Sequence, residues 1–288
     1  MTRTLTVVSP GALSLLQDRG RPGLAQIGVG MSGAADRGAY ELANRLVGNA
    51  DGAAAVELTL GGLEFTATGS DLWIALTGAP SPMQVDGRSV GAYSVEPVRD
   101  GARVSIGAPE TGLRSYLAVR GGIDTPPTLG SRSYDVMAEI GPPPLRAGDV
   151  LPVGTAIAVD PVVDQAPPPL TADQVVLRVV RGPRDDHVDD AESLVTTRWT
   201  ASQQSNRIGI RLDGSRLLPA GSAGQLPSEG AWRGAIQVPP GGQPILFLAD
   251  HPVTGGYPVI GVVAEADVDR AAQVRPGQAV TFRWFTPE

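Results

Sequence analysis

Leu226 to Ile260 reads LPSEGAWRGAIQVPPGGQPILFLADHPVTGGYPVI. Polar and glycine-rich segments punctuate short strand-like runs, AIQV and ILFL among them, a texture of brief strands and tight turns. A faint copy lies about 170 residues earlier. Asp36-Arg37, Glu57, Gly62, Gly69, LWIAL from Leu72 and RDGARVS from Arg99 to Ser105 are echoed by Asn206-Arg207, Glu229, Gly234, Gly242, ILFL from Ile245 and RPGQAVT from Arg275 to Thr281. The offsets from 37 to 207, 57 to 229 and 99 to 275 are 170, 172 and 176, so a few short insertions keep the halves in register. The pattern predicts a mainly β chain made of two barrel halves by internal duplication, with a few short helices.

Composition agrees. The chain has 288 residues, 42% hydrophobic and only 18% charged, with 37 glycines and 26 prolines. That mix suits many short strands and argues against a helical bundle. A chain of this length buries roughly three quarters of the surface its unfolded form exposes, so a substantial core is expected. All 23 basic residues are arginine. Without lysine the chain carries no covalent biotin, no side-chain Schiff base and no phosphate-loop lysine. With no cysteine it has no thiol nucleophile and no thiolate metal site, and with only His187 and His251 no histidine-rich metal site is expected. A net charge of −7 gives no overall attraction to nucleic acid or anionic membranes. The N-terminus MTRTLTVVSP lacks the apolar run of a signal peptide, and no stretch approaches about 20 apolar residues, so a soluble, cytoplasmic protein is expected.

Thr4 to Ser9 reads as a strand, and in Gln17 to Gly30 the Gly and Pro residues exclude a helix. Ala39, Leu42, Ala43, Leu46 and Val47 then fall on one helical face, with Asp36 or Ser32 as N-cap and Gly48-Asn49 as stop. Strands are predicted over Val56 to Thr68, Leu72 to Leu76, within Val85 to Val104, at Tyr116 to Val119, Val175 to Val180 and Arg207 to Leu212. Short helices are predicted around Asp189 to Val195 and from Asp267. DPVVDQAPPPLTAD, Asp160 to Asp173, is the best linker, which divides the chain into halves 1–164 and 165–288.

Asp36-Arg37 and Asn206-Arg207 each place an arginine fork beside a short polar side chain, a pairing that holds a carboxylate or phosphate, or merely caps a turn. Glu57 and Glu229 precede glycine-punctuated strands, where a carboxylate serves as base, as hydrogen-bond acceptor or as turn anchor. Gln237 offers an uncharged donor and acceptor opposite apolar neighbours. In ADHPVTGGYP, His251 supplies an imidazole, Thr254 precedes two glycines that permit close backbone approach, and Tyr257 stacks or donates its hydroxyl. SRSYD, with Arg132, is a further polar loop.

VVSPGALSLLQDRGRPGLAQIGVGMSGAADRGAYELANRLVGN, AAAVELTLGG, LGSRSYD, QSNRIGIRLDG and SEGAWRGAIQVPPGGQPILFLADHPVTGGYPVIG together resemble the biotin-dependent carboxyltransferase family, also called allophanate hydrolase subunit 2 or the 5-oxoprolinase C subunit. The resemblance implies two cyclophilin-like β-barrel halves. It also implies an enzyme component that, with its sister, the B subunit, and with the A subunit, converts 5-oxo-L-proline to L-glutamate using ATP, held by this chain or across the interface. Urea carboxylase relatives imply the alternative of carboxyl transfer from a separate biotin carrier to urea or a similar amide. A relative that antagonises an inhibitor of a sporulation kinase implies a binding role. On this reading Arg37 and Arg207 hold phosphate or carboxylate, aided by Asp36, Arg132, Asn206, Gln237, His251 and Thr254, while Glu57, Glu229 and Tyr257 position the ring as catalytic candidates. The family usually has Ser-Asp-Arg where this chain has Ser205-Asn206-Arg207, and often Gln-Thr-Thr where it has Pro252-Val253-Thr254. Asn206 therefore offers no general base, and of the last three only Thr254 has a hydroxyl.

Overall fold

A computed structural model describes residues 2–169, 174–220 and 226–286. The end of the Asp160 to Asp173 linker, from Leu170, lies outside them. The chain is mainly β, with three α-helices among the described residues. It divides into two compact units. One comprises Met1–Arg21, Ser32–Asp135 and Glu139–Thr171; the other comprises Ala172–Glu288 together with Pro22–Met31 and Val136–Ala138.

The first unit holds β1 (Thr4–Pro10), β2 (Leu13–Gln17), β3 (Ala55–Thr59), β4 (Leu63–Thr68), β5 (Leu72–Gly78), β6 (Met83–Val85), β7 (Arg88–Val90), β8 (Val95–Val98), β9 (Arg103–Ile106), β10 (Arg114–Val119) and β11 (Val150–Pro152). They form a six-stranded sheet, β11-β1-β4-β9-β6-β7, and a five-stranded sheet, β2-β3-β10-β5-β8. The core draws on both sheets, with Leu5, Val7, Phe65 and Val104 from the first and Val56, Leu58, Ile74, Leu76 and Leu117 from the second.

Side chains alternate along a strand, so the intervening residues of β3, β5 and β10 face the other way. There they meet α1 (Arg37–Leu46), whose Tyr40, Ala43 and Leu46 pack against Ala55, Ala75, Tyr116 and Ala118. Burying Leu46 alone contributes about 1.5–3 kcal/mol. The helix forms where the spacing predicts it, and Asp36 caps it by accepting the Ala39 N–H at 2.9 Å. This double burial makes β10 solvent-inaccessible throughout, and it puts Glu57, one of the outward residues of β3, beneath the helix N-terminus.

The second unit holds β12 (Val175–Arg181), β13 (Trp199–Ala201), β14 (Gly209–Asp213), β15 (Glu229–Gly230), β16 (Ala235–Gln237), β17 (Ile245–Phe247), β18 (Thr254–Gly255), β19 (Val259–Val263) and β20 (Ala279–Trp284), with α2 (Ser193–Thr196) and α3 (Glu265–Ala271). Seven of these strands close a barrel, β12-β19-β16-β17-β14-β13-β20, sealed by the parallel pairing of β12 with β20. Leu177, Val179, Trp199, Ile210, Ile236, Leu246, Ile260 and Phe282 belong to its core. β15 and β18 form a separate two-stranded antiparallel sheet. The Gln17 to Gly30 loop has no α-helix, but Ala25–Ile27 makes one 3₁₀ turn, a length that Gly23 and Gly28 on either side still permit.

Candidate functional site

Within the first unit, Asp36 and Glu57 meet through a residue that sequence reasoning passed over. The Tyr116 hydroxyl donates to Glu57 Oε2 at 2.8 Å and accepts the Asp36 N–H at 2.8 Å, while the Ala35 N–H reaches the same Glu57 oxygen at 3.0 Å. Arg114 Nε stands 3.6 Å from Glu57 Oε1, and both side chains are almost wholly buried. Burial, followed by the charge of Glu57, pushes the Tyr116 phenol well above its ordinary range, so it stays protonated and donates. Glu57 is thereby an internal anchor, tying the start of α1 to β10. Arg37, the first residue of α1, is half-buried.

Arg132 belongs to a second network organised by Asp18, another residue the sequence reading missed. Asp18 Oδ1 accepts the Gly20 N–H at 2.7 Å and the hydroxyls of Ser131 and Ser133 at 2.6 Å each, and Oδ2 accepts the Arg132 N–H at 2.6 Å. The loops QDRG and SRSYD are thus clipped together by one buried carboxylate. The guanidinium of Arg132 donates through Nε to the Thr125 carbonyl at 2.6 Å and through Nη2 to Asp124 Oδ1 at 2.8 Å. It lines a cavity of about 230 Å³ with Ala53, Gly121, Gly122, Asp124, Gly154 and Thr155.

In the second unit, Asn206 and Arg207 have different tasks. Asn206 Oδ1 accepts the Ile208 N–H at 2.8 Å and so shapes the turn into β14. Arg207 makes a two-pronged pair with Asp250, Nε to Oδ2 at 2.8 Å and Nη2 to Oδ1 at 2.9 Å. Both are buried, at 2% and 1% exposure, and Asp250 Oδ2 also accepts the Val136 N–H at 3.0 Å. Its neighbour His251, which the sequence singled out, stacks on Phe247 at 5.9 Å between ring centroids and places Nδ1 2.7 Å from the Pro252 carbonyl. An acid beside a histidine was the available signal for Asp250.

Glu229, Gln237, Thr254 and Tyr257 gather around the small two-stranded sheet. Glu229 lies opposite Gly255 and pairs with Arg184, both being about one-third exposed. Gln237 Nε2 donates to the Tyr257 carbonyl at 3.2 Å. A Cβ on Gly255 would stand 2.6 Å from that same nitrogen, so the close approach expected at the paired glycines is made by a side chain of the fold itself. Thr254 is exposed, and Tyr257 is 40% exposed. Trp232 lies just beyond β15 and is 73% exposed. This small sheet thus presents a charged pair, a hydroxyl and two aromatic faces to solvent, chemistry suited to a flat, polar ligand or a partner surface. No group of three or more metal-ligating side chains occurs among the described residues, and no helix among them is long and apolar enough to cross a membrane.

Comparison with known proteins agrees with this architecture. The family profile described as carboxyltransferase domain, subdomain A and B, matches residues 27–284. The C subunit of the Escherichia coli 5-oxoprolinase is 38% identical over 96% of this chain and 90% of its own. The crystal structure of TTHA0988 superposes with a TM-score of 0.88 at 32% identity, covering 98% of this chain and 56% of that one. The K. lactis urea amidolyase structure superposes with a TM-score of 0.92 at 31% identity over 98% of this chain. This chain spans only 19% of that enzyme.

Proposed function

Because the chain belongs to the carboxyltransferase domain family, subdomains A and B, we propose that it is the C subunit of an ATP-dependent 5-oxoprolinase, which with the A and B subunits converts 5-oxo-L-proline to L-glutamate. The observation that carries this reading is the likeness to the C subunit of the E. coli 5-oxoprolinase along nearly the whole of both chains.

A lactam carbonyl is a poor electrophile. Transfer of the γ-phosphoryl group of ATP to its oxygen releases ADP and leaves an electrophilic carbon; one water adds there and the C–N bond breaks to free the amine and leave an acyl phosphate, which a second water hydrolyses to carboxylate and phosphate. Arginine forks suit the anionic groups of such a sequence, and hydroxyl or carboxylate side chains suit the ring N–H. Arg207 is engaged by Asp250 inside the second unit, so its part is to position the Asp250–His251 segment. Arg184, Glu229, Thr254 and Tyr257 are the accessible groups there, and Arg132 with Asp124 is the accessible pair of the first unit.

The alternative is carboxyl transfer from carboxybiotin to urea or a similar amide, favoured by the superposition on urea amidolyase. With no lysine in the chain, the biotin would arrive on a separate carrier. The deciding measurement is ADP release by this chain co-expressed with its sister, the B subunit, with and without the A subunit. Release that requires 5-oxoproline and both sister chains is expected. Tight co-purification with no lactam-stimulated release would move the assignment to the carboxyltransferase or to a non-catalytic regulator that binds its sister chain.

A further inference from the structure

The cavity beside Arg132 lies wholly within the first unit and has the chemistry of a binding site. Its volume of about 230 Å³ corresponds to roughly eight water molecules at the liquid's ~30 Å³ each. Closely packed glycine backbone forms part of its wall. Gly121 has φ +104°, and a Cβ there would stand 2.1 Å from the Gly154 carbonyl oxygen; a Cβ on Gly154 would press on Asp124 at 3.0 Å. Ala53, Ala54, Ala156 and Ile123 supply the apolar part of a small lining that is otherwise mostly polar.

Against that lining stand three polar residues with capacity to spare. Arg132 uses Nε and Nη2 within the protein, which leaves Nη1 without a partner. Asp124 uses Oδ1, which leaves Oδ2. Thr155 accepts the Ile157 N–H at its carbonyl, while its hydroxyl and its own N–H have no partner among the described residues. The Arg132 backbone is pinned by the buried Asp18, so the guanidinium projects from a fixed point. Its link to Asp124, which is 62% exposed, is a weak surface pair that a ligand displaces readily.

We propose that this cavity binds a small molecule bearing a carboxylate and, on the adjacent carbon, an N–H group. Arg132 and the Thr155 donors take the carboxylate, Asp124 takes the N–H, and the glycine and alanine lining admits a few carbons. An α-amino acid and a lactam acid share this chemistry. Only the choice of 5-oxo-L-proline and L-glutamate as probes rests on the proposed reaction.

The test is direct titration of the 288-residue chain, by calorimetry or NMR, with 5-oxo-L-proline, L-glutamate and acetate. Saturable binding of one nitrogen-bearing probe is expected, with acetate weaker by about tenfold or more, because acetate leaves Asp124 unanswered. Arg132→Gln, which keeps the backbone N–H held by Asp18, and Thr155→Val, whose hydroxyl supports nothing in the fold, should each weaken binding at an unchanged unfolding midpoint, Arg132→Gln by about tenfold or more. The better-bound probe identifies the lactam or the amino acid as the occupant. Equal binding of acetate, no saturable binding to the folded chain, or binding that survives Arg132→Gln would overturn the proposal. The assay needs no turnover, so binding without lactam-dependent ADP release would retain this site while discarding the proposed reaction.

Discussion

Arg207 and Asp250 show how much a residue's surroundings alter its meaning. An arginine next to a polar side chain reads as an anion receptor, yet here its fork is filled by an internal carboxylate at 2.8 and 2.9 Å in a nearly dry setting. Removing one member of a buried pair leaves the other charge uncompensated, at a cost of about 3–5 kcal/mol. Arg207→Ala should therefore destabilise the chain by that amount in urea denaturation. The double change Arg207→Met with Asp250→Asn, which removes both charges and keeps an acceptor for the Val136 N–H, should recover most of the loss. If Arg207→Ala unfolds at the wild-type urea concentration, the pair does not hold the fold. Glu57 carries the same lesson, since its carboxylate is occupied by Tyr116 and the Ala35 N–H.

At the scale of elements, the spacing of apolar residues predicts α1, and its start follows from Asp36. A carboxylate cap supplies an acceptor for an otherwise orphaned N–H in the first turn, so Asp36→Ala should cost about 1 kcal/mol while Asp36→Asn is nearly neutral. Turnover by the assembled enzyme separates the two readings of this residue: capping alone predicts that Asp36→Asn keeps full activity, whereas a marked loss would show that its charge serves the reaction. The two-stranded β15/β18 sheet is a different kind of element. It pairs only Glu229 with Gly255 and Gly230 with Thr254, too few residues for strand periodicity to register. Glu229 and Glu57, which the sequence spacing matches as counterparts, have unlike settings. One sits about one-third exposed on that small sheet and the other is buried under a helix.

At the scale of the whole molecule, acid stability should trace to a few carboxylates held by arginine. Burial by itself raises the Asp267 carboxyl, but hydrogen bonds from the Arg178 side chain and N–H, with the charges of Arg178 and Arg270, outweigh it and hold the group below its ordinary 3.8. A group depressed in the folded state stabilises fully above its unfolded value and loses that contribution as pH falls through the folded one. Unfolding free energy should thus decline below about pH 4, and Asp267→Asn should flatten that decline. An acid limb unchanged in the variant would mean that other carboxylates dominate. Asp267 is well placed for this role because it ties α3 to β12, the strand that seals the barrel.

Alternation and composition were sufficient for a mainly β chain, the repeat spacing for its two-part build, and the i, i+3, i+4 pattern for α1. These are local signals, set by backbone sterics and by which face of an element must leave water. The arginine-only basic complement also excluded lysine chemistry from sequence alone. Tertiary structure decided the rest. Asp18 joins Ser131 and Ser133, residues 113 and 115 positions away; Tyr116 bridges Asp36 and Glu57, 80 and 59 positions away; and Arg207 finds Asp250 across 43. Whether an ionisable group is an internal anchor or a free ligand contact depends on which distant chain segment supplies its partner and excludes its water, and neither is encoded in the residues beside it.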